Sequence, residues 1–208
     1  MANLEYEKAH QAEYPVIAGV DEAGRGPLAG PVVAGAVILP REFDAEGLID
    51  DSKKLTAKQR EHAFEQITAK CIWGVGEVSP AEIDEINILQ ATMKAMRLAV
   101  EALRVKPDFL LIDGNYYSNV GIPFETIVKG DSKSLSIAAA SIIAKVFRDR
   151  YMTEIADKKY PGYGFAQHKG YPTKKHFELI KKNGISDIHR ITFLRKFVSR
   201  ETSIDEQI

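Results

Sequence analysis

The stretch that most constrains the fold runs from Val16 to Val33, VIAGVDEAGRGPLAGPVV. Its first apolar run, Val16–Val20, predicts a buried β-strand, and two adjacent carboxylates, Asp21 and Glu22, follow directly. After a turn rich in glycine and proline, the apolar run Val32–Leu39 predicts a returning strand. Carboxylates at the end of a buried strand are costly unless a cation compensates them, so the pattern indicates a metal site. The alternative is an ordinary hairpin with a polar turn.

Composition bounds the class of protein. The chain has 208 residues, 45% of them hydrophobic and 27% charged, which suits one folded domain with a substantial core. A single cysteine, Cys71, excludes an internal disulfide and indicates a reducing compartment. No apolar stretch approaches the ~20 residues that a membrane span needs, and the first residues lack a signal pattern. We therefore expect a cytoplasmic protein without membrane contact.

The charge is divided unevenly along the chain. Residues 129–200 contain 16 Lys and Arg against 6 Asp and Glu, whereas residues 1–128 contain 12 against 20. One part of the chain is therefore basic while the other brings the carboxylates. That division suits a polyanion that is held by one surface and attacked at another. The alternative is a set of solvated basic helices.

The order of predicted elements indicates the architecture. Early strands form a meander and later strands alternate with helices, so we expect a mixed sheet flanked by helices in a single domain, 1–208. The last residues, 201–208, are expected to be frayed. The predicted later strands are Cys71–Val78, Phe109–Ile112 and Glu125–Val128. The predicted helices are Thr56–Lys70, a helix capped by Ser79 and Pro80, Ile88–Arg104 with Leu89, Met93 and Met96 in the core, Leu135–Tyr151, and one from Thr173 to Asn183.

Carboxylates recur where predicted strands end. Asp113 follows Phe109–Ile112, and Asp131 lies just past Glu125–Val128. Mg²⁺ and Mn²⁺ prefer oxygen ligands, and two such ions about 4 Å apart can stabilise both the attacking and the leaving oxygen of a phosphodiester. The constellation therefore predicts a nuclease that needs no catalytic Ser, Cys or His.

Two details of this cluster stay open from the residues alone. Neighbours on a strand point to opposite faces, so Asp21 and Glu22 cannot both ligate through their side chains unless the strand breaks between them. A carboxylate from Asp21 and the backbone carbonyl of Glu22 would satisfy the geometry. Asp131 precedes a predicted helix, so helix capping competes with metal ligation there.

The sequence lacks the motifs of nucleotide-binding and histidine-ligated metal sites. No Gly-Lys-Ser/Thr follows the glycines, which excludes a phosphate-binding NTPase loop, and the glycine spacing does not fit a dinucleotide site. His168, His176 and His189 stand in no metal-ligand spacing. We expect these histidines to be polar surface or phosphate-facing groups, and Cys71 to be a buried strand residue.

Several motifs together resemble one known family. They are DEAGRGPLAGPVV at Asp21–Val33, DSKKL at Asp51–Leu55, IDG at Ile112–Gly114, KGDSKS leading into IAAASIIAKVFRDR at Lys129–Arg150, HKGYPTKKH at His168–His176 and IHR at Ile188–Arg190. In this order and at this spacing the chain resembles type 2 ribonuclease H (ribonuclease HII) in its bacterial form.

The resemblance implies a fold and an activity. The fold is ribonuclease H-like α/β, with a central five-stranded mixed sheet flanked by helices and a small helical, substrate-binding C-terminal region at about 160–200. The activity is two-metal-ion hydrolysis, with Mg²⁺ or Mn²⁺, of the RNA strand of RNA–DNA hybrids, and incision 5′ of single ribonucleotides in duplex DNA. Both nucleic acids are the implied partners, and we expect a monomer.

The resemblance also assigns residues. The metal carboxylates are Asp21, Glu22, Asp113 and Asp131. The substrate-reading turn is Gly24, Arg25 and Gly26, with Tyr171 as its partner. A phosphate-contacting segment is assigned to Ser52, Lys53 and Lys54.

Two other functions compete with this assignment. The first is a non-catalytic module that binds hybrids or DNA, but such a module gains nothing from carboxylates placed where phosphates arrive. The second is another nuclease of the same superfamily, such as a junction resolvase. The Gly24-Arg25-Gly26 turn and Tyr171 argue against that second function.

Overall fold

A five-stranded mixed sheet forms the centre of the protein. The computed structural model describes residues 2–43, 55–118 and 121–195. The strands are β1 Ile17–Ala23, β2 Val32–Ile38, β3 Ile72–Val78, β4 Phe109–Asp113 and β5 Phe124–Ile127. Their order across the sheet is β3-β2-β1-β4-β5, with β1 antiparallel to β2 and parallel to β4. The predicted fold class, a mixed sheet flanked by helices, is confirmed.

Besides a helical stretch at 191–195, the described residues contain seven α-helices. They are α1 Glu5–His10, α2 Ala57–Lys70, α3 Pro80–Glu101, α4 Leu135–Arg150, α5 Asp157–Lys159, α6 Phe165–His168 and α7 Lys174–Asn183. A 3₁₀ turn, Gly130–Ser132, precedes α4, and a π-helical turn, Tyr151–Ala156, continues it. None of the described helices combines the length and apolar character that a membrane crossing requires.

Helices α3 and α4 cover opposite faces of the sheet. A Cβ atom added to Gly35 of β2 would lie 2.4 Å from the carbonyl oxygen of Ala140 in α4, and one on Gly76 of β3 would lie 2.1 Å from that of Ala95 in α3. Glycines on the strands and small residues on the helices therefore let the backbones approach closely. As their small size predicts, the residues of IAAASIIA let α4 pack closely against the sheet.

Side-chain caps define the helix ends. Thr56 and Gln59 form a reciprocal capping box at α2, and Ser79 caps α3 ahead of Pro80. Thr173 caps α7, which ends at Gly184. Each such cap contributes about 1 kcal/mol, which explains why these helix ends were predictable from sequence.

The main differences from the predictions concern β1, the helix predicted at Ile88–Arg104, and Leu89. β1 extends through Asp21 and Glu22 to Ala23, because the backbone of these residues pairs with β2. The predicted helix Ile88–Arg104 is the second half of α3, which restarts at a kink where the Asn87 carboxamide accepts hydrogen bonds from the next turn. Leu89 is 41% exposed, so its predicted core position is wrong.

The core predictions for Met93 and Met96 are confirmed, and Cys71 is buried as predicted but lies just before β3 rather than in a strand. Met93 and Met96 are both 2% exposed and pack in the core. Cys71 is buried between α2 and β3, and burial raises the pKa of its thiol to about 12, so the thiol stays protonated.

Candidate active site

Asp21 and Asp113 lie side by side at one edge of the sheet. Val20 of β1 pairs with Ile112 of β4 in parallel, so the next residue on each strand is a carboxylate on the same face. That face carries α4, because Ile17 of β1 packs with Ile137 of α4. The strand pairing thus brings together two of the predicted metal carboxylates.

The Asp21 carboxyl lies in an environment that disfavours its negative charge. The residue is 3% exposed. Burial, and then the charges of Glu22 and Asp113, raise the pKa of Asp21 well above its usual range, while hydrogen bonds from the Ser141 side chain and the Glu22 N–H partly lower it. A divalent cation would relieve this repulsion, and the donors are the hard oxygens that Mg²⁺ and Mn²⁺ prefer. The residues present therefore fit such an ion.

Asp131 is held close to the same edge. One carboxylate oxygen of Asp113, Oδ1, accepts a hydrogen bond of 2.6 Å from the Gly130 N–H, which ties the 3₁₀ turn to the end of β4. Asp131, the next residue in that turn, is 4% exposed. The cap of α4 is Ser134, whose hydroxyl accepts from the Ile137 N–H. Ser134 rather than Asp131 therefore caps α4, and the metal-ligating role of Asp131 stays a prediction.

Glu22 follows Asp21 on an unbroken strand, so the two side chains point to opposite faces. One Glu22 carboxylate oxygen, Oε1, lies 3.4 Å from Nη1 of Arg25. Within the described residues, no three Asp, Glu, His or Cys side chains form a complete metal cage. An ion held by one or two carboxylates, with water and substrate phosphate as its other ligands, does not need such a cage.

A fully buried arginine holds the turn that contains Gly24, Arg25 and Gly26. Arg190 is 0% exposed and donates from Nη2 to the Gly24 carbonyl at 2.7 Å and from Nη1 to the Arg25 carbonyl at 3.1 Å. It also donates from Nε and Nη2 to the Gly30 carbonyl, at 3.0 and 2.8 Å. Burial lowers the pKa of Arg190 to about 9, so it remains a cation at neutral pH. The carbonyls of this turn are thus directed inward, to Arg190.

Arg148 joins the turn to the loop that carries Tyr171. This buried side chain of α4 donates from Nε to the Pro31 carbonyl at 3.0 Å, from Nη2 to the Ala29 carbonyl at 3.1 Å, and from Nη1 and Nη2 to the Lys169 carbonyl, each at 3.1 Å. The Leu28 N–H also donates to the Gly170 carbonyl at 2.8 Å. The turn and the loop are therefore one hydrogen-bonded unit.

The Tyr171 ring lies at the surface of that unit. It is 38% exposed, and Lys145 Nζ and Arg148 Cζ each lie 5.7 Å from its centroid. The half-exposed aromatic face beside two cations suits stacking or packing against a nucleotide. Arg148 thus connects Tyr171 to the turn that the family resemblance gave as its partner, and the reading role of both stays a prediction.

Sequence reasoning missed Arg148 and Arg190 as supports of the site. A signal for Arg148 is present: it continues the buried stripe of Ile137, Ser141 and Ala144 on α4 at steps of four, three and four. Arg190 lies in an irregular segment, where periodicity offers no such signal. Both residues lie within motifs that carry the family resemblance, Arg148 in Lys129–Arg150 and Arg190 in Ile188–Arg190.

The expectation that the three histidines are surface groups is wrong. His168, His176 and His189 are 9%, 0% and 3% exposed, and the rings of His168 and His176 stack with centroids 4.1 Å apart. Burial lowers the pKa of His176 and of His189 to about 4, so both are neutral under ordinary conditions. They are buried supports rather than phosphate-facing groups.

The predicted phosphate-contacting segment, Ser52, Lys53 and Lys54, lies outside the described residues. Its role stays a prediction.

Known proteins resemble this chain over most of its length. A family profile described as Ribonuclease HII matches residues 18–196. A "Ribonuclease HII" of Acetivibrio thermocellus is 60% identical over 93% of this chain and 75% of its own length. A "Ribonuclease HII" of Vibrio vulnificus is 52% identical over 99% of this chain and 100% of its own length.

Solved structures agree with the sequence comparisons. The crystal structure of the ribonuclease H2 from Pyrococcus horikoshii OT3 matches with a TM-score of 0.71 and 33% identity, covering 89% of this chain and 98% of that one. The crystal structure of Bst-RNase HIII in complex with Mn²⁺ matches with a TM-score of 0.59 and 20% identity, covering 81% of this chain and 63% of that one, which shows a shared fold. The profile and the identities above show more than the fold: the chain belongs to the ribonuclease HII family, metal-dependent endoribonucleases of the ribonuclease H type.

Proposed function

We propose that this protein cleaves the RNA strand of RNA–DNA hybrids and incises 5′ of single ribonucleotides in duplex DNA, by two-metal-ion phosphodiester hydrolysis. The observation that carries the proposal is the parallel pairing of β1 and β4, which sets Asp21 beside Asp113 on one face. Asp21 is buried there with a raised pKa, as expected of a carboxylate whose charge a bound cation would compensate. Family membership supports the same activity.

The chain's own donors define the proposed metal site. Asp21, Asp113 and Asp131 would ligate through their carboxylates, and Glu22 through its backbone carbonyl, since its side chain points to the other face. Mg²⁺ or Mn²⁺ bound there supplies Lewis-acid stabilisation of the phosphoryl oxygens and an activated water. Ser141 and the Gly130 N–H orient the Asp21 and Asp113 carboxylates. The complex of Bst-RNase HIII with Mn²⁺ supports an ion of this class.

The turn and Tyr171 would read the substrate. A nuclease that cuts beside one ribonucleotide must detect its 2′-OH, because this hydroxyl distinguishes RNA from DNA at a given site. Glycines at positions 24 and 26 let the backbone of the turn approach the sugar. The Tyr171 ring would pack against the deoxyribose of the next nucleotide, where a 2′-OH would be desolvated. Ser52, Lys53 and Lys54 are proposed to contact phosphates.

Tyr171→Ala tests the reading role. We expect cleavage at an RNA-to-DNA junction to fall by about 10-fold to 100-fold, if the ring packs against the sugar as strongly as a base stacks on an aromatic side chain, roughly 1–3 kcal/mol. Duplex binding should change much less. The measurement compares kcat and Kd on a single-ribonucleotide duplex and on an all-RNA hybrid, with Tyr171→Phe as the matched control. Equal losses of cleavage and binding on both substrates would make Tyr171 a scaffold residue.

The lysines of α7 supply a test of the proposed nucleic-acid surface. Lys174, Lys175, Lys181 and Lys182 are all exposed on this helix. If they contact phosphates, replacing all four with Gln should weaken binding of every duplex alike and reduce the slope of log K against log salt by roughly one unit for each lost contact. A titration of Kd between low and moderate salt measures this. An unchanged slope would mean that these lysines are solvated.

A further inference from the structure

The segment Ile188–Arg190 contacts both halves of the proposed substrate-reading site. On one side, Arg190 donates to the carbonyls of Gly24, Arg25 and Gly30. The Arg190 N–H donates to the Leu28 carbonyl at 2.7 Å, and the Ile188 carbonyl accepts from the Gly30 N–H at 2.8 Å. Main chain and side chain of this one segment therefore fix the reading turn.

On its other side the segment reaches Tyr171 through two histidines, and their hydrogen bonds define their tautomers. The Ser186 N–H donates to Nδ1 of His189 at 3.0 Å, so the ring proton of His189 is on Nε2. This Nε2 lies 3.1 Å from Nε2 of His176, which must then accept. The His176 proton is therefore on Nδ1, 3.0 Å from the Tyr171 carbonyl, to which it donates.

The third histidine is consistent with this assignment. The Gly170 N–H donates to Nδ1 of His168 at 3.1 Å, so Nε2 carries the proton and donates to the Tyr163 carbonyl at 2.8 Å. The His168 carbonyl in turn accepts from the Tyr171 N–H at 2.8 Å. Every ring nitrogen of the three neutral histidines thus has a partner of the right kind, and two of these rings hold the backbone on either side of the Tyr171 ring.

We propose that Ile188–Arg190 is a positioning segment that sets the spacing between the 2′-OH-reading turn and Tyr171. Arg190 places the turn, and the adjacent residue His189 places Tyr171 through His176. Both are positioning residues, since their bonds run to protein groups. The inference rests on the proposed function, because it assumes that the turn and Tyr171 read the ribonucleotide.

Substitutions at the adjacent residues Arg190 and His189 should therefore affect cleavage differently. Arg190→Lys keeps a positive charge but loses the forked donors, so the turn shifts and kcat falls on every ribonucleotide substrate. Displacing the turn by about 1 Å should lower kcat about 100-fold, and we expect little change in KM. His189→Asn keeps an acceptor for the Ser186 N–H but cannot reach His176. It should lower kcat about 5-fold to 10-fold on a single-ribonucleotide duplex, the size of one lost neutral hydrogen bond, and leave the all-RNA hybrid nearly unchanged.

A conservative variant of His189 is the matched control. His189→Gln places an amide N–H near the position of Nε2, so it can still donate to His176. We expect it to restore the parental ratio of the two rates. If His189→Asn and His189→Gln lower both substrates equally, in proportion to a fall in Tm, the segment is ordinary scaffold and the proposal is wrong. This pair decides the matter even if Arg190→Lys fails to fold.

Imidazole ¹⁵N NMR supplies a readout that does not depend on activity. We expect His168 and His189 to carry their proton on Nε2 and His176 to carry it on Nδ1, all three neutral at pH 7. A His176 with its proton on Nε2 would break the connection to Tyr171 and overturn the proposal. If the parent protein fails to cut the single-ribonucleotide duplex, the proposed function fails instead, and the NMR result still decides whether the connection exists.

Discussion

Asp21→Asn is expected to reduce cleavage by at least about 10³-fold while the protein still folds. The substitution removes a charged oxygen from the cluster that would hold the metal, and losing one preorganised charge-stabilising group already costs roughly 10²–10³-fold. The carboxamide keeps an oxygen that can accept from Ser141 and from the Glu22 N–H, so the local hydrogen bonds survive. Single-turnover cleavage with saturating Mg²⁺ or Mn²⁺ measures the loss.

The same variant should be more stable than the parent when no metal is bound. The folded-state pKa of Asp21 is raised, mainly by burial, so the folded protein binds a proton that the unfolded chain has released. The parent therefore loses stability as the pH rises above ~4, by up to about 1.4 kcal/mol per pH unit until the folded-state pKa is passed, whereas the Asn variant does not. In EDTA the stability difference should be absent below about pH 4 and should grow as the pH rises from there toward neutrality.

An exposed carboxylate provides the control for both effects. Glu85 lies on the solvent side of α3, and Glu85→Gln makes the same chemical change away from the sheet edge. It should leave the cleavage rate and the pH dependence of stability as in the parent. Parental cleavage by Asp21→Asn at saturating metal would mean that the metal site lies elsewhere.

The fold and the carboxylates could be predicted because their signals are local. Apolar runs of strand length, Ser and Thr caps, and a helix of small residues all act within a few positions of the chain. Asp21 and Asp113 follow such runs directly, so predicting β1 and β4 also places each carboxylate at the end of a strand. The sequence did not show that pairing with β2 would continue β1 to Ala23, because pairing depends on the partner strand.

The supports of the site were not predictable by the same means. Arg190 bonds to the Gly24 carbonyl across 166 positions, and Arg148 to the Pro31 carbonyl across 117. An arginine can be buried only where backbone carbonyls accept its hydrogen bonds. In this protein distant turns supply those carbonyls, so a periodic pattern in the sequence does not predict the burial. The histidines were missed for a related reason. A histidine is polar in the sequence but is tolerated in a core once each ring nitrogen finds a partner.

Gly26→Val is expected to reduce activity on every ribonucleotide substrate by about 100-fold without lowering Tm. Gly26 is exposed, and an added Cβ would meet no described atom within 4 Å, so the folded protein has room for a side chain there. In the proposed complex the same space receives the ribose, and a branched side chain would hold the turn away from the 2′-OH. A misplacement of about 1 Å suffices for a loss of this size.

Comparison with Gly24→Ala separates an effect on substrate recognition from an effect on folding. Gly24 has a φ of 95°, and an added Cβ would lie 2.1 Å from Nε of Arg148, so even a methyl group strains the backbone and displaces the arginine that joins the turn to the Tyr171 loop. This variant should lose both activity and Tm. We expect Gly26→Val to lose activity alone, measured as kcat/KM on a hybrid and on a single-ribonucleotide duplex beside thermal unfolding. If Gly26→Val cleaves both substrates at the parental rate, the ribose does not approach the turn at Gly26, because a valine there would exclude it.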